Sequence, residues 1–584
     1  MTKSILYLDT ECYPNYFLIM LKDNEGNTHS FELTRHSRLD VNRVRELITN
    51  NLTVGFNSKL YDMPMIEAAL RGYNNASLKN ISDSIINQGA YGTLCKYNLW
   101  MSKEYDHIDI IQLPPGITSS LKMYGARINT QFLQDLPYDP SVTLTYDQMK
   151  VVRQYCANDI DITKDLYNQL QKPLNLRIAI SKKYDIDVRS RSDAQIAQDL
   201  ILKKMSRDKN VNNDIYDFYY KPPTYIRYKT EQLQNVLEQI LAINFKGVRG
   251  DNILKSDIPS DIKINNSCYN IGIGGIHSTE SKRAIVARDD ELLIDIDVVS
   301  FYPTMILNNN YYPNGFPKED FLNFYRLIYN DRIVAKKKGD IEDSNTFKII
   351  LNGTFGKLGD QFSKLYAPEA LIHTTLTGQL TQLMLIERLE EYGISVVSSN
   401  TDSITAYLKK DKYDICRKII EAWENKINFK TEETRFKALY NQSVNSYIAI
   451  KEDNTIKSKG LFATGDLSRN PAIKVCKDAI FNYLLTGKKV EETIYDTPLN
   501  PENFLTVRKV ATGGYWKKKY LGKIVRWYWS MEGEPIFTKG GNKVAGSDDA
   551  YPIMSLNSGL TDVYYEKYIN KTYELLKTIG VNNG

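Results

Sequence analysis

Residues 292–305 read LLIDIDVVSFYPTM, and this stretch predicts a buried strand that ends in a polar turn. Side chains alternate along a strand, so Ile294 and Ile296 fall on one face of it. Asp295 and Asp297 then fall on the opposite face. A carboxylate at the end of a buried strand is costly unless a positive partner lies beside it. A bound divalent cation and a simple polar end to the strand both fit the pattern, and the rest of the chain has to decide between them.

Length and composition restrict the class of protein. A chain of 584 residues is long enough for about three or four domains. Its net charge is only +5, so any nucleic-acid surface would have to be a local basic patch. The six cysteines lie far apart without a CxxC pair, which argues against a zinc module or a disulfide scaffold and favours a reducing compartment. No signal peptide or membrane-length apolar run is seen, so we expect a cytoplasmic protein without a membrane partner.

Three separated segments place carboxylates next to a predicted strand or helix. They are SILYLDTE at 4–11, VGFNSKLYDMPMI at 54–66 and QYCANDIDITKDLY at 154–167. In the first segment, Asp9 and Glu11 are two residues apart and share one face of a strand. In the second, Asp62 opens a helix, and in the third, Tyr155 and Asp159 lie one helical turn apart. Such a set predicts a two-metal hydrolytic site in which the phenol orients the attacking water.

These segments resemble the Exo I, II and III motifs of the 3′–5′ exonuclease domain in family B DNA polymerases, and the stretch between the second and third is similar to compact bacteriophage members. The resemblance implies that the metal ligands are Asp9, Glu11, Asp62 and Asp159. It also implies that Tyr155 orients the water and that Asn57 contacts DNA. Lys122, in the intervening SLKMYGARI, is either a phosphate contact or a solvated surface lysine.

The opening stretch resembles motif A of the same family (DxxSLYPS), because residues 297–304 read DVVSFYPT. The resemblance implies that Asp297 and the backbone carbonyl of Val298 bind a catalytic metal. It places Tyr302 beneath the sugar of an incoming nucleotide, where a ribose 2′-hydroxyl would collide with the ring. A core tyrosine is the alternative role for this residue.

Residues 394–408 read ISVVSSNTDSITAYL, in which two β-rich runs flank a polar turn, and this pattern predicts a hairpin. Asp402 lies in the turn and is expected to face Asp297 across neighbouring strands. The segment resembles motif C (YxDTDS), with Asn400 in place of the first Asp. In this family the second Asp pairs with motif A, so Asp402 should keep the site competent, while Asn400 puts metal affinity or preference in question.

Two helices are predicted between these motifs, and both present cations on a single stripe. The first spans 321–338 and ends at Gly339, and the second is expected to be capped by Ser344 or Asn345. Two adjacent cationic stripes suit a bound triphosphate. Residues 348–356, KIILNGTFG, resemble motif B (KxxxNSxYG). The nucleotide-binding residues implied by the resemblance are Arg332, Lys336, Lys348, Asn352, Phe355 and Tyr302.

Three further stretches point to DNA. Residues 269–281 form a Gly-rich turn that resembles the family's Gly-Gly motif, and 444–462 resembles the region that contacts primer-template, with Asn445 where a Lys is usual. The DNA contacts implied by these two resemblances are Gly274, Gly275, His277, Tyr447 and Lys459. Residues 505–545 interleave nine Lys or Arg with aromatic residues. That pattern fits DNA contact or an amphipathic sheet, and we expect a mixture.

The resemblance covers nearly the whole chain and implies an α/β multidomain protein, with an RNase H-like exonuclease domain and a right-hand polymerase of palm, fingers and thumb. The implied boundaries are exonuclease 1–185, connecting region 186–265, first palm segment 266–320, fingers 321–365, second palm segment 366–485 and thumb 486–584.

The implied function is extension of a primer 3′-OH by two-metal nucleotidyl transfer, with 3′–5′ proofreading, in viral DNA replication in the host cytoplasm. Two Mg²⁺ ions per active site are the implied cofactors, with Mn²⁺ as an alternative. The implied partners are primer-template DNA, dNTPs, and a helicase, single-strand-binding protein or processivity factor. Two alternatives stay open: an exonuclease whose weakened polymerase half binds DNA, which Asn400 favours, and a non-catalytic replisome scaffold.

Overall fold

The computed structural model of the chain describes residues 3–211, 214–249 and 258–582. The chain forms two compact units. The first comprises Met1–Arg191, Thr464–Ala479 and Glu491–Asn570, and the second comprises Ser192–Ala463, Ile480–Val490 and Lys571–Gly584. Within the predicted connecting region 186–265, residues 212–213 and 250–257 lie outside the described residues.

A five-stranded mixed sheet forms the centre of the first unit. Numbered in chain order, its strands are β1 Ile5–Tyr13, β2 Tyr16–Asp23, β3 Thr28–Leu33, β4 Leu52–Gly55 and β5 Asp106–Asp109. They are arranged β3-β2-β1-β4-β5. Strand β2 runs antiparallel to its neighbours β1 and β3, while β4 runs parallel to β1 and to β5. Strand β1 is therefore the middle strand, with a neighbour on each side and helices on each face.

Helices cover both faces of this sheet. They are α1 Val41–Asn50, α2 Asp62–Leu70, α3 Asn75–Gln88, α4 Ala90–Tyr97, α5 Leu121–Arg127, α6 Tyr146–Gln169 and α7 Gln171–Tyr184. Leu8 of β1 packs with Met63 of α2 on one face, and Tyr7 packs with Ile160 of α6 on the other. Helix α6 begins at a capping box in which Thr145 takes part. Because Tyr7 packs against α6 and side chains alternate along a strand, the side chains of the odd-numbered residues of β1 point toward that helix.

A ten-stranded sheet and a separate two-stranded one belong to the second unit. The strands are β6 Ile215–Tyr219, β7 Asn244–Val248, β8 Ile262–Ile264, β9 Ser267–Asn270, β10 His277–Ser278, β11 Arg283–Val286, β12 Glu291–Val298, β13 Ser395–Asn400, β14 Ser403–Lys409, β15 Thr431–Ser443, β16 Ser446–Lys451 and β17 Ile456–Lys459. The large sheet runs β17-β16-β15-β12-β14-β13-β10-β9-β8, with β11 paired to β15, and β6 pairs with β7. The strand quoted first above, β12, thus lies between β15 and β14.

The helices of the second unit are α8 Asp193–Lys204, α9 Glu231–Leu241, α10 Phe301–Asn309, α11 Lys318–Lys338, α12 Ile341–Leu358, α13 Pro368–Glu391 and α14 Tyr413–Ile427. Some of these helices, including α13 and α14, pack against one face of the large sheet, while α8, α11 and α12 pack mainly against other helices. Ile294 and Ile296 of β12 join a core that contains Leu376 and Leu383 of α13 and Trp423 of α14. The expected alternation along β12 holds, because Asp295 and Asp297 lie on the face away from this core.

The two predicted cationic helices are α11 and α12. Helix α11 ends at Gly339, as predicted, and this glycine adopts the left-handed conformation with φ of 70°. The expected cap of α12 at Ser344 or Asn345 was wrong. The cap is Asp340, whose carboxylate accepts a backbone N–H of the first turn at 3.0 Å. A capping side chain directly after Gly339 lets the second helix begin several residues earlier.

The remaining elements follow residue 464. They are α15 Lys474–Thr486, α16 Val490–Asp496, α17 Pro501–Phe504, β18 Thr506–Trp516, β19 Lys519–Trp529, β20 Phe537–Thr538, β21 Ala550–Pro552 and α18 Tyr565–Thr578. Strands β18–β21 form a sheet in the order β20-β18-β19-β21. Trp527 and Trp529 are buried, whereas Lys519 and Lys523 are exposed. Arg526 is buried and donates to three backbone carbonyls, so it supports the fold and is closed to DNA.

No helix within the described ranges is long and apolar enough to cross a membrane. All six cysteines are free thiols, four of them buried. The absence of disulfides among them agrees with the expectation from their spacing.

Candidate active sites

A cluster of metal-binding groups lies between β1 and α6 in the first unit. Asp9 and Glu11 project from β1 toward α6, where the Cys156 thiol donates to Asp9 Oδ2 at 3.7 Å. A carboxylate oxygen of each acid and the Cys156 sulfur all lie within 4.8 Å of one another. One cation could therefore contact both carboxylates, and the sequence had not singled out the thiol beside them.

Asp62 reaches the cluster from the first turn of α2. Thr10, whose side chain points to the face of β1 opposite Asp9, donates from Oγ1 to Asp62 Oδ1 at 2.6 Å. The Asp62 side chain is buried, and burial is the main cause that raises its pKa well above the usual range. The negative charge of Asp9 raises that pKa further, so the two carboxylates act on one another. Asp62 thus lies close enough to Asp9 for their charges to interact, but it is not one of the groups whose ligand atoms lie within 4.8 Å of one another.

The loop before α2 is held by polar residues that sequence analysis missed. Asp109, at the end of β5, accepts the backbone N–H groups of Asn57 at 2.9 Å and Lys59 at 3.0 Å. His107 is buried and its Nε2 lies 2.8 Å from Ser58 Oγ. Burial lowers the pKa of His107 to about 3, so the ring is neutral and serves as a hydrogen-bonding spacer. Asn57 is exposed and has a φ of 59°, and the loop around it is held by the hydrogen bonds to Asp109 and His107.

Lys122 lies inside the cluster, which rules out the solvated surface lysine considered above. Its side chain is only 16% exposed, and its ammonium forms an ion pair with Asp159 Oδ1. The same ammonium lies 4.1 Å from the centre of the Tyr155 ring. Burial lowers the pKa of Lys122 to about 8, and the charges of Asp9 and Glu11 oppose that change. Lys122 is therefore the internal countercharge of the carboxylates.

The electrostatic balance of this site favours a divalent cation. Burial raises the pKa of Asp9 to about 6 even though Lys122 lowers it. Burial and then the charge of Asp9 raise the pKa of Glu11 well above its usual range. Burial also raises the pKa of Tyr155, so its phenol keeps its proton. The Lys122 ammonium interacts with the carboxylates of Asp9, Glu11 and Asp159, and hard oxygen donors of this kind suit Mg²⁺ or Mn²⁺.

Lys122→Met is expected to lower the free energy of unfolding of the metal-free protein by about 3 kcal/mol, because it leaves the buried Asp159 carboxylate without its partner. Denaturant unfolding in the presence of a chelator measures the loss. The double variant Lys122→Met/Asp159→Asn removes both charges and should recover most of it. Equal losses in the single and double variants would contradict the assignment of Lys122 as countercharge.

A second pair of acids lies at the end of β12 in the second unit. Asp297 is opposite Ser403 in the antiparallel register of β12 and β14. The backbone N–H of Val298 donates to the carbonyl of Asp402 at 2.9 Å. This bond places Asp402, in the turn between β13 and β14, directly beside the end of β12. Both acidic side chains are exposed to solvent, as an accessible metal site requires.

The charges around this pair are also unbalanced. Partial burial raises the pKa of Asp297 to about 6, and the charges of Asp402 and Asp295 add to the shift. Burial is likewise the first cause of the raised pKa of Asp402. Asp295, which the sequence placed on the same face without a role, is buried and accepts from Thr405 Oγ1 and Lys457 Nζ, each at 3.0 Å. Lys457 lowers the pKa of both Asp297 and Asp402, and Lys459 also lowers that of Asp402.

Cations of α11 flank the same pair. Arg332 donates to Ser300 Oγ, in the turn that leads from β12 into α10. Lys336 forms an ion pair with Glu432, which is opposite Asp297 in the register of β12 and β15. Among the residues that the structure describes, Lys348 of α12 forms no ion pair, and its side chain is exposed. Glu432 was missed in the sequence because only the strand register brings it beside Asp297.

An aromatic stack joins α10 to α12. The rings of Tyr302 and Phe355 lie 3.9 Å apart between centroids and 8° from parallel. Tyr302 is partly buried and packs against the main core, so it combines core packing with an accessible ring edge. Burial raises the pKa of its phenol to about 12. Asn352, one turn before Phe355 on α12, is exposed. These three motif residues therefore lie around a common surface formed by the two helices.

The Gly-rich loop contacts the turn that carries Asp402. The backbone N–H of Thr401 donates to the carbonyl of Ile276 at 2.8 Å. A Cβ added to Gly275 would lie 2.6 Å from the side chain of Thr401, closer than any real Cβ contact. His277 pairs with Asn400 in the register of β10 and β13. The loop predicted to contact template DNA is thus packed against the turn that carries Asp402.

Two buried glutamines of α13 form hydrogen bonds with the Gly-rich loop and with the turn that carries Asp402. Gln382 Nε2 donates to the carbonyl of Thr401 at 2.9 Å. Gln379 accepts the N–H of Gly272 and donates to its carbonyl, both at 2.7 Å. Both side chains are almost wholly buried, where an unpaired amide would be costly. Neither glutamine could be singled out from the sequence, because both lie in a helix without a recognised motif.

Tyr447 and Lys459 are opposite each other in the register of β16 and β17. Burial raises the pKa of Tyr447, and the charges of Asp295 and Asp297 contribute to that shift. The tyrosine therefore lies on the same side of the sheet as the acidic pair. This arrangement extends the site from β13 to β17 along one face.

The contribution of Asp9 and Asp297 to the thermal stability of the metal-free protein is expected to fall as pH rises from about 4 to about 6.5, and it is measured as the difference in Tm between the wild type and the variants Asp9→Asn and Asp297→Asn. The folded-state pKa of Asp9 and of Asp297 is about 6, above the unfolded value, so the folded state holds these protons more tightly. That advantage is complete at low pH and is lost as pH rises through about 6. Millimolar Mg²⁺ should raise Tm at the higher pH and have little effect at the lower. A Tm profile that is unchanged in Asp9→Asn and Asp297→Asn would contradict this origin.

Comparisons with known proteins find similarity in structure and none in sequence. The sequence matches no protein-family profile and no curated protein. Among solved structures, the chain is similar to the family B DNA polymerase from the hyperthermophilic archaeon Pyrobaculum calidifontis, with 12% identity and a TM-score of 0.42. That alignment covers 100% of this chain and 79% of the archaeal one.

Proposed function

We propose that this chain is a DNA-templated DNA polymerase of the compact bacteriophage family B type, with a 3′–5′ proofreading exonuclease. The observation that supports it best is the pairing of β12 with β14, which sets Asp297 beside Asp402. Two exposed carboxylates with raised pKa values, flanked by cations from a helix, form a suitable site for metal-assisted transfer of a nucleotide.

In the synthesis site, Asp297, Asp402 and the backbone carbonyl of Val298 would hold Mg²⁺ or Mn²⁺. When bound, the metal supplies activation of the primer 3′-OH and stabilises the pyrophosphate that leaves. Asp295 and Lys457 position the strand end behind these ligands, because their ion pair links β12 to β17. The charge of Lys457 also lowers the pKa of each acid and so opposes the rise that burial causes.

The incoming nucleotide would lie between the acidic pair and the helices α11 and α12. Arg332, Lys336 and Lys348 would bind its phosphates, and Lys336 would exchange its exposed partner Glu432 for the triphosphate. The stacked pair Tyr302 and Phe355 would form the floor under the sugar. A ribose 2′-hydroxyl would collide with that floor. The exposed Asn352 of the same helix would help to shape the nucleotide pocket.

In the exonuclease site, Asp9, Glu11, Asp62 and Asp159 would hold the metals, which supply a nucleophilic water and stabilise the leaving oxygen. The Tyr155 phenol keeps its proton and would orient that water. Lys122 would exchange its ion pair with Asp159 for a substrate phosphate once the carboxylates bind metal. The site would remove mispaired 3′ ends, a second selection step that base pairing alone cannot supply.

DNA would be contacted by both units. In the second unit, the proposed contacts are Gly274, Gly275, His277, Tyr447 and Lys459. In the first, Asn57 is exposed on its fixed loop and would contact the strand being digested. Palm, fingers and thumb would correspond to the segments 266–320 with 366–485, 321–365 and 486–584. Helicase, single-strand-binding protein and processivity factor are the proposed partners in viral replication.

A second candidate function is an exonuclease whose polymerase half only binds DNA, and the neutral Asn400 beside Asp402 favours it. Primer extension decides between the two. Purified protein is incubated with Mg²⁺, dNTPs and a labelled primer annealed to a template, and separately with labelled single-stranded DNA. The proposal expects template-dependent extension in the first reaction and 3′ digestion in the second. Digestion without any extension, in Mg²⁺ or Mn²⁺, would establish the alternative.

A further inference from the structure

Two departures from the polymerase motifs meet in the second unit. Asn400 stands where motif C has its first Asp, and Asn445 stands where a Lys precedes Tyr447. Asn400 Nδ2 donates to Asn445 Oδ1 at 3.2 Å and to the carbonyl of Val444 at 3.0 Å. Residues that are 45 apart in sequence thus form one polar contact.

Each partner belongs to a segment with a proposed catalytic or DNA-binding role. Asn400 ends β13, and its carbonyl accepts the backbone N–H of Asp402 at 2.8 Å. Val444 and Asn445 form the two-residue connection between β15 and β16, and Tyr447 is the second residue of β16. A shift of either amide would therefore move the Asp402 turn or the start of the strand that carries Tyr447.

The Val444–Asn445 turn has little freedom to move away. Gly460 lies against it with φ of +65°, and a Cβ at this glycine would be 2.3 Å from the carbonyl oxygen of Asn445. The hydroxyl of Ser446, the next residue, donates to Gln442 Oε1 at 2.8 Å. The turn is thus held on one side by Gly460 and on the other by the Asn400 amide.

We propose that Asn400 and Asn445 are a pair of positioning residues that couples the Asp402 turn to the primer-binding strand without charge. This inference rests on the proposed polymerase function. An acid and a base have been replaced together, so the net charge beside Asp402 is the same as with Asp and Lys. A change at one position alone would leave an unpaired charge in a site whose acids already have raised pKa values. Asn400 is on this view half of a compensated pair, and the polymerase site is intact.

Four proteins test the coupling: the wild type, Asn400→Asp, Asn445→Lys and the double variant. In Asn400→Asp, a carboxylate oxygen replaces the amide that donates to Val444, and two acceptors then oppose each other. We expect each single variant to extend primers about tenfold more slowly, and the double variant to recover to within about threefold of the wild type. Digestion of single-stranded DNA, which uses the first unit, should stay unchanged in all four.

The Mg²⁺ concentration for half-maximal extension separates positioning beside the metal from structural support. Asn400→Asp adds a negative charge near Asp402 and should lower that concentration, and the double variant should return it to the wild-type value. Asn308→Asp is the matched control, because its amide also donates to two backbone carbonyls, those of Ile427 and Asn428. It should lower Tm and leave the Mg²⁺ requirement unchanged.

Additive effects of the two single variants would overturn the inference, and so would faster extension by Asn400→Asp alone. Failure of the polymerase proposal looks different, because the wild type itself would then not extend primers. In that case the Tm values of the same four proteins decide whether the pair exists. A double variant that is more stable than the two single shifts predict supports the pair, and additive shifts reject it.

Discussion

Asp402→Asn is expected to lower the rate of primer extension by about 10³-fold while leaving digestion of single-stranded DNA unchanged. The substitution keeps the size of the side chain and removes one of the two carboxylates that would hold the metal. Loss of several kcal/mol of charge stabilisation in the transition state accounts for the magnitude. The side chain is exposed, so the fold should not suffer. Tm should stay the same or rise, because the charge of Asp402 raises the pKa of Asp297.

Asp9→Asn is the matched control for that experiment and should show the reverse pattern. Its carboxylate lies in the first unit, in the cluster with Glu11 and Cys156. Digestion should fall by about the same factor, and extension should persist. Rates are measured at saturating Mg²⁺ on the same labelled primer-template and single-stranded substrates. If either substitution abolished both activities in a protein with wild-type Tm, two independent sites would be the wrong description.

Gly275→Ala is expected to slow primer extension by about 10²-fold, because a small displacement of catalytic groups is sufficient for a loss of that size. The new Cβ would lie 2.6 Å from Thr401 Oγ1 and Cγ2 and 2.7 Å from its Cβ. Thr401 cannot easily yield, since its N–H bonds to Ile276 and its carbonyl to Gln382. The strain should also lower the free energy of unfolding by about 1–3 kcal/mol.

Gly272→Ala provides the comparison, because a Cβ there meets no atom within 4 Å. Only the backbone of Gly272 bonds to Gln379, so the added methyl group leaves those bonds in place. Extension and Tm should remain close to the wild type. Steady-state extension, digestion of single-stranded DNA and thermal unfolding are compared for the two variants. Normal extension by Gly275→Ala would show that the turn tolerates displacement and that its contact with the loop is unimportant.

Local pattern was sufficient to predict the elements that carry the acids. The alternation of Ile and Asp in β12, the hairpin around Asp402 and the α11 helix ending at Gly339 were all foreseen. Each of these depends on side-chain period, turn chemistry or capping within a few residues. The cap of α12 was misjudged because Ser344 and Asn345 are also good caps, and local preference alone did not distinguish them from Asp340.

Pairs of residues that only the strand register brings together could not be predicted from the sequence. Lys457 pairs with Asp295 although the two are 162 positions apart, and the sequence around either residue does not indicate its partner. Lys122 looked like a surface lysine because a short helix does not reveal what its side chain faces in the folded unit. The Asn400–Asn445 contact could not be predicted either. In the sequence each residue is only a neutral side chain at a position where the motif has a charged one, and only the fold shows that the two are in contact. Long-range contacts of this kind need the topology before the chemistry can be assigned.

The amides of Gln379 and Gln382 lie one turn apart on a helix that is buried along almost its whole length. Gln379 donates a hydrogen bond to the backbone of the Gly-rich loop, and Gln382 donates one to the carbonyl of Thr401. A rotation or slide of α13 would consequently shift both loops in the same direction and by similar amounts. If the Gly-rich loop binds template and the Asp402 turn binds metal as proposed, α13 would link the two mechanically, and a distortion of the bound template would be transmitted through this helix to the metal site.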